Sequence, residues 1–175
     1  TLLLKPVIVT LHLIGGMTTL SLLAGMAVAR REISSATGVA ASTRLLAFAA
    51  LLAIIVQIAL GGWVSSNYAA LACPDFPTCQ GQWQPETDFT HAFSLHRELG
   101  QTADGQLLLL AALTAIHWTH RLGALIVALI VGALAVALIR GKDHWQGWGL
   151  VLFGLLLAQI GLGIGNVLLS LPLAL

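Results

Sequence analysis

Long runs of apolar residues dominate the chain. A helix needs roughly 20 mostly apolar residues to cross a bilayer, and four runs reach that length: Leu2–Ala29, Leu45–Val64, Leu107–Ile139 and Trp145–Leu175. The last two are longer than a bilayer requires, which leaves room for an interfacial segment within Leu107–Leu113 and for a fourth span that starts nearer Leu150. The pattern predicts an all-α fold, a polytopic bundle of transmembrane helices.

Composition supports the same class. Hydrophobic residues make up 58% of the 175 residues and charged residues only 9%, where a soluble domain carries about 25% charged residues. Mean hydropathy is +0.92. The net charge of +1 gives no basic surface for nucleic acid, and the apolar runs exclude a disordered chain. The predicted partner is therefore the lipid bilayer.

The first residue is Thr1 rather than Met, and it lies inside an apolar run. No basic n-region and no small-residue cleavage site precede that run, so we predict no signal peptide. We interpret the chain as a fragment of a longer protein.

Basic residues are concentrated in two connections. The linker 30–44 carries three arginines, and the turn after the third span carries Arg140 and Lys142. The positive-inside rule places both connections in the cytoplasm. The connection of about 67–106 has Arg97 as its only lysine or arginine, so we expect this loop on the outer side of the membrane.

Both cysteines, Cys73 and Cys79, lie in this outer loop. Paired thiols in an oxidising compartment become disulfides, and a bridge here would close a short, proline-containing loop. We interpret the pair as a staple of the loop. A redox-active pair remains an alternative, although such pairs are usually Cys-x-x-Cys, and metal ligation by two cysteines is a further one.

Short motifs recur along the chain, which is the signature of an internal repeat. Three pairs of segments resemble each other: His12–Gly16 and His120–Ala124, Gln57–Gly61 and Gln159–Gly163, and Leu2–Pro6 and Leu168–Pro172. Together they predict a duplicated helix bundle. The third pair also predicts a histidine three residues beyond Leu175 in the full-length protein, because His12 follows Pro6 by the same interval.

Two histidines lie within predicted spans, where ionisable side chains are costly and usually functional. His12 lies about 9 Å inside the boundary at Pro6, and His120 has a similar depth in the outer half of the membrane. Small residues follow each of them, including Gly16 and Ala124. Such a surface leaves room for a haem whose iron takes an imidazole. The alternative is that small residues only pack helices together and the histidines hydrogen-bond a neighbouring helix.

Two further polar residues accompany His120. Arg121 is a candidate partner for a haem propionate. His117 precedes His120 by three residues and points roughly the same way, so both cannot be axial ligands of one haem. We interpret His117 as a residue that lines the pocket, with chelation of a small metal ion by His117 and His120 as the alternative.

The combined motifs resemble the haem A synthase family. The resemblance covers essentially the whole chain and rests on Gln57–Gly62, Leu71–Cys79 (LACPDFPTC), Ile116–Arg121 (IHWTHR) and Gln159–Pro172. Family members have eight spans in two similar four-helix halves, and this chain resembles spans four to seven. The resemblance makes 1–29 the last span of the amino-terminal half, 30–44 a cytoplasmic linker and 45–175 the first three spans of the carboxy-terminal half.

The resemblance also implies a function. The family oxidises the C8 methyl of haem O to the formyl of haem A for cytochrome oxidase assembly, in the inner membrane of bacteria or mitochondria. Each half holds a haem between two histidines. His12 matches the second histidine of the substrate half and His120 the first histidine of the haem b half, while Cys73 and Cys79 match a disulfide. The implied partners are haem and an unidentified electron acceptor, and haem O synthase and oxidase assembly factors are further candidate partners.

One departure concerns catalysis. The family's catalytic glutamate lies in the amino-terminal half, three residues before that half's first histidine, and neither residue is present here. The corresponding place before His120 holds His117. We therefore expect no catalytic residue in the fragment and no activity from it alone. Other classes remain open: a non-catalytic di-haem electron carrier, a thiol and quinone oxidoreductase using Cys73 and Cys79, and a metal-transport subunit using His117 and His120.

Overall fold

The computed structural model describes residues 5–29, 40–95, 101, 105–141 and 144–169. Four long helices, α1 (Pro6–Ala29), α2 (Ala41–Ser66), α4 (Leu110–Ile139) and α5 (His144–Leu168), account for most of them, and a short α3 (Phe89–Ala92) lies between α2 and α4. All four long helices are long and apolar enough to cross a membrane. The predicted all-α membrane fold is confirmed.

The helix boundaries differ from the apolar runs by a few residues. Helix α2 begins at Ala41, four residues before the run, and α4 begins at Leu110, three residues after it. Helix α5 begins at His144 rather than near Leu150. Hydropathy marks the part of a helix that lipid can cover, whereas backbone hydrogen bonds extend the helix until a residue breaks it. The predicted ends at Leu2 and Leu175 lie outside the described residues.

Helix α2 ends where the backbone turns left-handed. Tyr68 has a φ of 56°, a conformation that stops an α-helix. The preceding residue, Asn67, supplies a hydrogen bond to a carbonyl in the last turn of α2, because its Nδ2 donates to the oxygen of Trp63 at 2.7 Å. A 3₁₀ turn over Ala69–Leu71 follows and leads into the cysteine loop.

Helix α4 is the centre of the bundle, with α2 and α5 packed against it and α1 packed against α2. One apolar cluster lies near the α4–α5 turn, where Ala50, Val131 and Leu134 are buried against Leu152 and Leu156. We call this end of the bundle the turn end. Lipid tails are as apolar as these side chains, so close van der Waals packing rather than removal from water holds the helices together here.

A second apolar cluster lies at the opposite end, which we call the loop end because the 67–95 segment covers it. Trp63, Ala92 and Ile116 are buried there. The Trp63 indole Nε1 donates to the carbonyl of Ala92 at 3.0 Å, and its ring stacks on Phe93 with 6.5 Å between centroids. The loop end is thus a packed cap, and a polar layer containing Gln57 and His120 lies between the two clusters.

Candidate functional site

His120 lies on α4 where this helix meets α2, and its side chain is half-buried. Gln57 of α2 is its partner: the amide Nε2 lies 3.0 Å from His120 Nδ1 and 3.4 Å from His120 Nε2. The same nitrogen donates to the backbone carbonyl of His120 at 3.0 Å. A single amide therefore holds both the ring and the backbone of this histidine.

Two glycines make this approach possible. A Cβ at Gly61 would lie 3.3 Å from His120 Cε1, and a Cβ at Gly123 would collide with the Gln57 amide oxygen. Any larger residue at either place would displace the imidazole or the amide. Gly61 and Gly123 therefore allow the close contact between α2 and α4.

An apolar groove of about 210 Å³ adjoins this contact. Gln57 and Gly123 border the groove, and four aliphatic residues and an alanine line the rest of it: Leu52, Ala53, Val56, Ile126 and Val127. The Oε1 atom of Gln57 is buried and has no hydrogen-bond partner among the described residues. The imidazole thus lies beside apolar space and an unused acceptor.

His12 has a different environment. Its side chain is exposed on α1, and a Cβ at Gly15 or Gly16 would meet nothing within 4 Å in the described part of the chain. Ala124, which follows His120 as Gly16 follows His12, is also exposed. The small residues after His12 therefore border open space, whereas Gly123 after His120 contacts α2.

The two histidines nevertheless lie at matching levels along α2. Gly61 contacts His120, and the next residue, Gly62, contacts Thr10 and Leu13 of α1 at 3.1–3.3 Å from its Cβ position. Thr10 and Leu13 flank His12 in sequence. Along the helix axes, His12 and His120 therefore lie within about one helical turn of the same pair of glycines.

Arg121 ties α4 to the cysteine loop. Its Nη1 donates to the carbonyl of Thr78 and its Nη2 to the carbonyl of Cys73, both at 2.8 Å. Its Nε donates to His117 Nε2 at 3.3 Å. A guanidinium has more N–H groups than these three contacts use, so Arg121 keeps donors for a further acceptor.

His117 is directed to the loop end rather than to the groove. Its side chain is only 5% exposed, and its partner is Arg121, whereas the partner of His120 is Gln57. Within the described residues no group of three or more His, Cys, Asp or Glu side chains is placed to hold a metal ion. The structure gives these two histidines different surroundings.

A third residue of α4 completes the contact with the loop. Gln80 Nε2 donates to Thr114 Oγ1 at 2.9 Å and to the carbonyl of Ala72 at 3.0 Å. Thr114, His117 and Arg121 are spaced by three and four residues and so lie on one face of the helix. We call these three residues the loop-binding face. It adjoins the face that carries His120.

The cysteine loop is closed internally. Cys73 and Cys79 form a disulfide with Cα atoms 4.6 Å apart, and both residues are almost fully buried. Asp75 accepts from Thr78 Oγ1 and from the backbone N–H groups of Gln80 and Gly81. The Thr78 bond, followed by those to Gly81 and Gln80, holds the pKa of Asp75 below its usual value, against the opposing effect of desolvation.

These surroundings fit a haem better than a small metal ion. An imidazole that ligates haem iron needs adjacent apolar space and an acceptor for its second ring nitrogen. The groove provides the apolar space next to the Gln57–His120 contact, and the Gln57 amide, whose nitrogen faces the ring, is the polar group beside the imidazole. A haem held there would supply a redox-active iron.

Reasoning from sequence did not single out Gln57 or Thr114. Gln57 belongs to an echoed segment and to a motif of the family resemblance, and it is the one residue between Leu45 and Val64 with an amide, hydroxyl or charged side chain. A lone amide within a predicted span is itself a signal of function. Thr114 had no such signal, because threonines are common in membrane helices and only the folded loop reveals its contact.

The model of the cytochrome oxidase assembly protein family, COX15-CtaA, matches residues 1–175. The chain belongs to this family. It is 39% identical over 176 residues to a protein named heme A synthase from Shewanella oneidensis, covering 99% of this chain and 53% of that protein. A heme A synthase from Methylobacterium radiotolerans is 34% identical over 136 residues, which cover 76% of this chain and 35% of that protein.

The chain thus spans about half the length of the Shewanella relative. A third relative, the heme A synthase of a Chelativorans species, is 31% identical over 75% of the chain and 34% of its own length. No solved structure matches the chain significantly. The family assignment therefore rests on sequence, and the four spanning helices of this chain are those of a member of a membrane protein family.

Proposed function

We propose that these residues are part of a haem A synthase, which oxidises the C8 methyl of haem O to the formyl of haem A for cytochrome oxidase assembly. The relatives named heme A synthase and the family support this activity. Helix α1 belongs to the half that holds the substrate haem, and α2, α4 and α5 belong to the half that holds haem b. The membrane is the bacterial or mitochondrial inner membrane, with the cysteine loop on its outer side.

The observation that carries the proposal is the environment of His120. It is a half-buried imidazole in a spanning helix, held by Gln57 and bordered by an apolar groove. Such a site suits haem, which combines a large apolar plate with an iron that takes an imidazole. The iron and the oxidisable methyl would come with the haem.

The residues of this chain have separate roles in holding the two haems. His120 would hold the iron of haem b and His12 the iron of the substrate haem, each together with a histidine outside this chain. Arg121 has donors left for a propionate, and Gly16 and Ala124 leave open surface beside the two ligands. His117 holds Arg121 in place. No residue here is assigned as catalytic, so the 175 residues alone should be inactive.

The first prediction concerns haem content. In the purified full-length protein, His120→Ala should remove the haem b signal from the optical spectrum, because the iron loses its ligand. His117→Ala should lower that signal less, since His117 contacts Arg121 and not the groove. Equal losses from both variants would overturn the assignment of roles, and a wild-type protein without a Soret band would exclude the haem function.

The buried disulfide argues against a thiol oxidoreductase. Cys73 and Cys79 are 1% and 0% exposed, whereas exchange requires a sulfur that an attacking thiolate can reach. A metal-transport subunit is disfavoured by the different partners of His117 and His120. A di-haem electron carrier would use the same histidines, and it is separated from the synthase by assaying conversion of haem O in the full-length protein.

A further inference from the structure

Two arginines are exposed at the turn end of the bundle. Arg44 lies in the first turn of α2, and Arg140 is the residue at which α4 ends. Both side chains are exposed, and within the described residues neither takes part in an ion pair or a hydrogen bond. We call Arg44 and Arg140 the arginine pair. Their guanidinium groups are free to bind an anionic ligand.

The packing of α2 against α4 places the arginine pair at one level. Ala50 and Leu134 are buried in the same apolar cluster. Arg44 precedes Ala50 by six residues and Arg140 follows Leu134 by six, so each arginine lies about 9 Å beyond the cluster towards the turn end. The axes of packed helices are about 8–10 Å apart. Two long arginine side chains at this spacing can contact the same headgroup or adjacent ones.

An exposed tryptophan lies at the same level on α5. A Cβ at Gly149 would lie 2.7 Å from the backbone nitrogen of Ile139, so Trp148 is within about one helical turn of Arg140. The Trp148 side chain is 44% exposed. An indole beside basic residues at the end of a spanning helix is typical of the headgroup region of a bilayer.

Exposed apolar side chains continue from the arginine pair towards the middle of the bundle. Phe48 follows Arg44 by four residues and Val136 precedes Arg140 by four, so each lies on the same helix face as its arginine. They are 59% and 39% exposed. A surface that is basic at its edge and apolar below it matches a phospholipid, in which a charged phosphate adjoins long acyl chains.

The sign of the charge favours an anionic lipid at this end of the bundle. The sequence ranges 30–44 and 140–144 contain five lysines or arginines and two acidic residues, a net charge of +3. The range 67–106 at the loop end contains one arginine and five acidic residues, a net charge of −4. Basic segments next to a spanning helix attract anionic lipids, so the attraction acts at the turn end.

We propose that the turn end binds an anionic phospholipid: the arginine pair holds the phosphate of the headgroup, and the exposed apolar side chains beside it contact the acyl chains. Guanidinium N–H groups donate to the phosphate oxygens. His120 precedes Arg140 by twenty residues, about 30 Å along α4, so this site is separate from the candidate haem site and does not depend on the proposed function.

The test is a titration of the full-length protein in detergent micelles with phosphatidylglycerol, with bound lipid counted by native mass spectrometry. Arg44→Gln combined with Arg140→Gln should weaken binding about 25-fold, or about fivefold for each charge removed. Arg44→Lys combined with Arg140→Lys keeps both charges and should bind like the wild type. Phosphatidylcholine should bind the wild type no more tightly than phosphatidylglycerol binds the double glutamine variant.

Lys5 provides a matched control at the opposite end. It is exposed and directly precedes α1, whose Val7 packs against the loop-end cluster. Lys5→Gln removes one charge, as Arg140→Gln does, but should leave phosphatidylglycerol binding unchanged. Equal weakening by these two single variants would show that binding follows the overall charge, and would overturn the site. Wild-type binding by the double glutamine variant would also overturn it.

Inorganic phosphate distinguishes a lipid headgroup from a free anion. Because it has no acyl chains, it should not displace phosphatidylglycerol when added at the same concentration. Displacement by phosphate, or equal binding of phosphatidylcholine and phosphatidylglycerol, would overturn an anionic phospholipid as the occupant.

Discussion

At the scale of single residues, Arg121 connects two parts of the molecule that are distant in sequence. Its guanidinium bonds two loop carbonyls, those of Cys73 and Thr78, and lies 6.0 Å from the ring centroid of Phe76. Hydrogen bonds from a charged donor are worth about 1.5–3 kcal/mol each when buried. The residue next to the candidate iron ligand is therefore also the main anchor of the cysteine loop.

Asp75 makes the loop sensitive to acid. Its pKa is lowered in the folded loop, first by the hydrogen bond from Thr78, from an ordinary value of 3.8. A carboxyl with a lowered pKa stabilises the fold fully above the ordinary value, and this contribution is lost as the pH falls through the lowered one. We expect hydrogen exchange at the Gln80 and Gly81 amides, corrected for its intrinsic rate, to accelerate only below about pH 4.

Asp75→Asn provides the comparison. Without the charge, exchange at these two amides should be faster than in the wild type at neutral pH and should change little on acidification. Acid sensitivity equal to that of the wild type in this variant would mean that another group controls the loop.

At the scale of helices, Gly149 determines how closely α5 approaches α4. A Cβ at this position would lie 2.7 Å from the backbone nitrogen of Ile139 and 2.9 Å from the carbonyl oxygen of Ala135. Backbone atoms cannot move aside as a side chain can, so the helices would have to separate. Gly149→Ala should lower the free energy of unfolding by about 1–3 kcal/mol.

Gly154 is the matched control on the same helix, because a Cβ there meets nothing within 4 Å. Gly154→Ala should be neutral or slightly stabilising, since alanine favours helix over glycine by up to about 1 kcal/mol. Thermal unfolding of both variants in one detergent measures the difference. Equal midpoints would show that the α4–α5 contact tolerates a methyl group.

Hydropathy was sufficient for the helices but not for the site. Each span contains enough apolar residues to be recognised without knowledge of its neighbours, and therefore the helix boundaries were wrong by only a few residues. The partner of His120 depends on which face of α2 meets α4, and apolar residues surround Gln57 on every face. That contact depends on the space that Gly61 leaves for His120 and Gly123 leaves for Gln57, and this space is visible only once the helices are packed.

At the scale of the whole molecule, the cysteine loop and the loop-binding face form a single unit on top of α4. The disulfide closes the loop, Arg121 and Thr114 attach it, and α3 with Phe93 packs against Trp63 at the same end. His120 lies between His117 and Arg121 in sequence. Order in the loop therefore supports the position of the candidate ligand from one side.

Replacing both cysteines tests this dependence. In the full-length protein, Cys73→Ser with Cys79→Ser should lower thermal stability and the amount of haem bound, because the loop loses its covalent closure. Turnover per bound haem should remain close to that of the wild type. Complete loss of turnover in a variant with normal haem content would instead assign redox chemistry to the cysteines.

Gly61 and Gly62 have a consequence that reaches across both halves of the proposed enzyme. A helix turns by about 100° per residue, so α4 and α1 approach α2 at the same height from directions about a right angle apart. The helices that carry His12 and His120 are then held at one height by neighbouring glycines, although Gly62 contacts Thr10 and Leu13 rather than His12 itself. One added methyl group at either glycine would push one of these helices away from α2, and would thereby change the distance over which an electron passes between metal centres held by the two histidines.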